Sequence, residues 1–145
     1  MLNRRFYFAW IIGAIAMYSA FYCWHGLILT DFSRVNFPKP LFLSFTAITY
    51  LLISFLVYKV FELKLWDAIS KNLFTKAVFT GLTVGFLLFV VTSVLGISFS
   101  ARFSFTHFVT DCIWQIIEQS IGGIVVAFCH IHVYSPELEE EAVKK

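Results

Sequence analysis

Four long apolar runs decide what this chain can become. They are "FYFAWIIGAIAMYSAFYCWHGLILT" (Phe6 to Thr30), "LFLSFTAITYLLISFLVY" (Leu41 to Tyr58), "AVFTGLTVGFLLFVVTSVLGISF" (Ala77 to Phe99) and a run from about Phe108 to Val133. Each is close to the ~20 residues a helix needs to cross the hydrocarbon core of a bilayer. Lipid offers the backbone no hydrogen-bond partners, so such a run must satisfy its own N–H and C=O groups as a helix. The second run is the shortest and extends past Lys59, whose amine can snorkel to the interface. Composition closes the soluble alternative. The 145 residues are 59% hydrophobic and 14% charged, with 18 Phe, whereas soluble domains carry roughly 25% charged residues. A soluble chain this short has no core large enough to hide that much apolar surface.

The expected fold is therefore all-α: an integral membrane four-helix bundle, antiparallel and up-down-up-down, with helices at about 6–30, 41–60, 77–99 and 108–133. Arg4 and Arg5 precede the first run as they would a signal peptide. That run exceeds the usual apolar region of a signal, however, and no small-x-small cleavage site follows it, so it is read as a membrane helix. Residues 1–135 form one transmembrane domain, and 136–145 form a polar cytoplasmic tail.

Basic residues set the orientation. With the N-terminus in the cytoplasm, Arg4, Arg5, Lys59, Lys64, Lys71, Lys76, Lys144 and Lys145 lie inside, and Arg34, Lys39 and Arg102 lie outside. This bias predicts a multi-pass cell-membrane protein with both termini cytoplasmic. The loop "DFSRVNFPKP" (Asp31 to Pro40) contains two prolines and keeps the first two helices adjacent. "ELKLWDAISKNLFTK" (Glu62 to Lys76) spaces Leu65, Trp66, Ile69 and Leu73 helically, which predicts a short interfacial helix between the second and third spans.

The last run contains "DCIWQIIEQSIGG" (Asp111 to Gly123). At ~100° per residue, Asp111, Gln115, Glu118 and Gly122 fall within ~60° of one another, and Glu118 lies ~10 Å deeper than Asp111. An ionisable group at that depth costs at least a few kcal/mol in lipid, roughly, so this face is expected to point into the bundle. Trp114 and Ile117 would cover its flanks. Tyr18, Tyr22 and His25, at i, i+4 and i+7 of the first helix, are the expected partners at matching depth. The second segment adds Ser44, Thr46, Thr49 and Tyr50. Three readings stand side by side. The cluster is a buried network that fixes helix register, a site that handles a ligand, proton or ion through His25, Asp111, Gln115, Glu118, Tyr22 and Tyr18, or a contact with another subunit. Glu118 is the residue expected to matter most, with His25 as its neighbour.

Gly81 and Gly85 form a GxxxG pattern, continued by Gly96, and Gly122 with Gly123 flattens the fourth helix; all five are read as helix-packing positions. Cys23, Cys112 and Cys129 are read as small buried hydrophobes. His130 and His132 lie on different helical faces. No metal-ligand spacing, phosphate loop or catalytic triad pattern occurs, so no metal, cofactor or catalytic residue is assigned and the reading leans away from an enzyme. A net charge of +2 with no basic face gives no reason to expect nucleic acid.

The segments "YCWHG", "NFPKP" and "DCIWQIIEQSIGG" together resemble uncharacterised families of small bacterial four-helix membrane proteins. The resemblance implies the four-helix layout and a cell inner membrane location, and it implies no activity. The expected role is a non-enzymatic accessory or interaction subunit of a membrane complex, with the bilayer and another subunit or a second copy as partners. The alternatives are a small binding or transport module using the outer-half polar cluster, and a membrane enzyme.

Overall fold

The computed structural model describes residues 4–30, 32, 37–99 and 105–133, without the side chains of 96–99. All regular structure among them is helical: α1 (Arg4–Phe21), a π-type segment (Tyr22–Ile28), α2 (Lys39–Phe61), α3 (Leu65–Ile69), α4 (Leu73–Phe99) and α5 (Phe105–His132). Four helices are long and apolar enough to cross a membrane, the first formed by α1 with its π-type extension. The outward faces are apolar as well: Ile15, Leu52, Leu87, Val91, Ile113 and Phe128 are all exposed. Water would penalise such a surface, and lipid accepts it.

The helix ends shift from their expected positions for local reasons. α2 begins at Lys39 because Pro38 and Pro40 occupy the start, where a missing N–H costs nothing. α4 begins at Leu73, four residues earlier than expected, because Asn72 caps it. The Asn72 side-chain oxygen accepts from Phe74 N at 2.9 Å. Lys76 therefore sits in the first turn of α4 rather than in the loop. It is 8% exposed, with its ammonium 2.6 Å from Asp67 and 5.0 Å from the centre of the Phe61 ring. α5 begins at Phe105, which puts His107 on the helix.

The first span departs most from expectation. Beyond Phe21 its turns widen, and Leu29 N donates to Trp24 O, five residues back, at 2.9 Å. Such wide turns change the angle between successive side chains. Cys23 is consequently exposed rather than buried. Trp24 turns inward and stacks on Trp114 of α5, with ring centres 4.3 Å apart and planes 10° from parallel. The segment gives way at Thr30, whose φ of 53° suits no further helix.

Pairings between the spans run in opposite numerical senses. Along α1 and α2, Phe6 meets Tyr58, Ser54 Oγ donates to Trp10 O at 2.7 Å, and Phe21 meets Tyr50. Along α1 and α5, Arg5 Nε donates to Val133 O at 3.2 Å, and Met17 packs where a methyl on Gly122 would lie. α4 and α5 form the most intimate pair. A methyl on Gly81 would strike Ser120, one on Gly85 would strike Ile116, and one on Gly123 would strike the Ala77 carbonyl. Small residues permit this approach, and dispersion between the backbones rewards it. Gly96 lies outside the residues whose surroundings are described. α2 leans mainly on α1 and touches α4 and α5 less.

Candidate functional site

The deepest acidic residue of α5 is also among the most enclosed in the molecule. Glu118 is 1% exposed, and Gln119 beside it is 0% exposed. The Gln119 amide donates to Glu118 Oε1 at 3.4 Å, the long end of the hydrogen-bond range. From α2, the Tyr50 hydroxyl is directed at the same carboxyl without closing a hydrogen bond of ordinary geometry. Trp114 Nε1 is directed at it too, without closing a hydrogen bond of ordinary geometry. Among the described residues no Lys or Arg acts on Glu118. Its enclosure rests on neutral donors supplied by two helices, and Tyr50 couples α2 to α5 at the level where α2 otherwise stands off.

The expected first-helix partners lie elsewhere. His25 packs against Phe21, with ring centres 4.9 Å apart, and is not among the groups acting on Glu118. Tyr22 is 41% exposed and meets Phe32. Tyr18 packs on Tyr50 and Phe21. The wide turns beginning at Tyr22 break the regular i, i+4, i+7 face on which these three residues were placed together. Phe21, Tyr18 and Tyr50 form an aromatic cluster joining the first helix to α2. Asp111 is exposed near the start of α5. Arg102 lies outside the described residues.

Gln119 was missing from the sequence reading because it lies one residue off the polar stripe. The double glycine held the clue. Gly122 extends the face of Glu118 by one turn, and Gly123 does the same for Gln119, so the buried face is wider than the stripe suggests.

Where α2 stands away from α4 and α5, a cleft of about 400 Å³ opens at this depth. Phe21, Phe42, Phe45, Thr49, Tyr50 and Gln115 are among its lining residues. Tyr50 is thus shared, bounding the cleft while its hydroxyl faces Glu118. Gln115 reaches the cleft from α5, and its carboxamide makes no hydrogen bond to another described residue. Among the described residues, no three His, Cys, Asp or Glu side chains converge as a metal site would require.

No protein-family model, curated protein or solved structure matches this chain.

Proposed function

We propose that this chain is a non-enzymatic component of a membrane complex, an accessory or interaction subunit built as an antiparallel up-down-up-down bundle. In this reading both termini are cytoplasmic and α3 lies in the cytoplasmic interface. The Glu118 arrangement carries it. A carboxyl this deep is enclosed by donors from its own chain, which makes it a lock on helix register rather than a group exposed along a pathway. Four spans with the carboxyl enclosed in this way leave little room for a conduction path past it. The eight-to-three distribution of Lys and Arg supports the orientation. For α3, Trp66 is buried with its indole donating to Val60 O at 2.8 Å, while Leu65 and Ile69 stay exposed. That division of faces suits a helix lying at a membrane surface. Purification from native membranes in mild detergent tests the role: a stoichiometric partner is expected, and recovery of the chain alone as a monomer would overturn it.

A second reading, a small binding module, is favoured by one observation. The cleft beside Tyr50 and Gln115 is of ligand size and adjoins the buried polar network.

A further inference from the structure

We propose that the cleft between α2 and the α4–α5 pair binds a neutral, lipid-soluble ring bearing a carbonyl oxygen, of the quinone class, with the Gln115 carboxamide as its hydrogen-bond donor. This rests on the binding-module reading and adds to it the chemistry of the ligand.

Size and access come first. About 400 Å³ accommodates a substituted six-membered ring, and sites of roughly 300–1,000 Å³ are usual for small ligands. The cleft is formed by membrane-spanning helices, so its occupant arrives through the bilayer and leaves any tail there.

Charge is the second filter. No Lys, Arg, Asp or Glu is among the described residues lining the cleft. An anionic or cationic head would lose its hydration there without compensation, so the occupant is neutral.

Accounting for the donors then narrows the polar group. Thr46 Oγ1 donates to Phe42 O at 2.8 Å, Thr49 Oγ1 to Phe45 O at 2.9 Å, and Thr92 Oγ1 to Leu88 O at 2.9 Å. The Tyr50 hydroxyl is directed at Glu118 and away from the cleft's occupant. The three threonine hydroxyls are committed, and the Gln115 carboxamide is the donor open to the cleft. A single acceptor oxygen matches this supply, whereas a polyol would find too few partners.

The walls select the body that carries this oxygen. Phe21, Phe37, Phe42, Phe45 and Tyr50 all line the cleft. Aromatic walls favour a flat ring, which they meet face-on or edge-on, over a flexible acyl chain.

The test uses the full chain in phosphatidylcholine nanodiscs, titrated with a decyl-substituted benzoquinone and followed by quenching of tryptophan fluorescence. Trp114 directly precedes Gln115, so a bound quinone lies close to a reporter. Saturable quenching is expected. Gln115→Leu should weaken it by about fivefold to tenfold, the worth of one hydrogen bond. Thr92→Phe, which fills the cleft, should abolish it. Matched thermal unfolding of the variants shows that they fold. A long-chain methyl ester, with a carbonyl but no ring, should not displace the quinone at equal concentration. If the ester displaces it equally well, the ring assignment fails while the binding-module reading stands. If Gln115→Leu binds as tightly as the native chain, the assignment to Gln115 is overturned. Quenching that rises linearly with quinone and is unchanged by Thr92→Phe would overturn the proposal and the binding-module reading together.

Discussion

Replacing Gly81 by alanine tests the closest packing in the molecule. The added methyl would lie 2.6 Å from Ser120 N and 2.5 Å from Ser120 Oγ. Ordinary contacts begin near 3.4 Å, and the nitrogen belongs to a helix backbone that cannot rotate aside. α4 and α5 must therefore part by about 1 Å along this stretch, loosening carbon contacts that are most favourable near 3.5–4.0 Å. Overpacking of this kind costs about 1–3 kcal/mol. Alanine returns up to about 1 kcal/mol through its better helix propensity. A net loss of about 1–2 kcal/mol is expected for Gly81→Ala. Gly85→Ala should behave similarly, since its methyl would lie 2.8 Å from Ile116 Cα. Gly122→Ala is the internal control. Its methyl would meet Met17 Sδ at 2.5 Å and Cε at 3.1 Å, and a thioether side chain can move away. The assay is dodecyl sulfate titration of the protein in mild-detergent micelles, followed by tryptophan fluorescence. The order of stability should be native, then Gly122→Ala, then Gly85→Ala and Gly81→Ala. A Gly81→Ala protein as stable as the native one, or more so, would refute the close approach of α4 and α5.

The same titration applies to the carboxyl. Glu118→Leu should cost about 1–3 kcal/mol because the Gln119 amide loses its acceptor and the Tyr50 hydroxyl loses the carboxyl it is directed at, whereas Glu118→Gln keeps an oxygen there and should stay within about 1 kcal/mol of native; equal losses for the two would remove the donors from the account. Asp67→Ala should cost less than about 1 kcal/mol, because the Asp67 side chain is 62% exposed to screening solvent and Lys76 keeps the Phe61 ring beneath its ammonium; a larger loss would mean that burial of Lys76 depends on the ion pair. Trp24→Leu should uncover Trp114 and shift the tryptophan emission, and unchanged emission would contradict the stack. In a cysteine-free background, Lys71→Cys should react with a membrane-impermeant maleimide only after the membrane is permeabilised; labelling in intact cells would invert the proposed orientation.

What could be read from sequence followed from constraints that need no partner. Bilayer thickness converts a run of apolar residues into a span, so four runs gave four long helices. Depth converts a carboxyl into a demand for enclosure, and Glu118 is enclosed. Gly81 and Gly85 announced a close approach because only the absence of a side chain permits one. Local chemistry was legible too where it went unread: Asn72 is a helix-capping residue type, and it moved the start of α4 to Leu73.

The identity of the group facing Glu118 was decided by tertiary structure. On a regular helix Tyr18, Tyr22 and His25 share a face, so periodicity pointed to His25. The turns from Tyr22 to Ile28 widen, Trp24 swings onto Trp114, and His25 stays beside Phe21. Periodicity assumes a constant angle per residue, and one stretch of five-residue hydrogen bonding is enough to break that assumption. Tyr50 reaches Glu118 from a helix whose own composition places its polar residues no more firmly on one face than another. Its role depends on how α2 leans on α1 and stands off from α4 and α5, which also opens the cleft. Sequence determined that the carboxyl had to be enclosed, because that demand comes from the solvent. The helix that encloses it was fixed by packing between spans, because lipid favours many arrangements of apolar helices almost equally and only fitted contacts distinguish them.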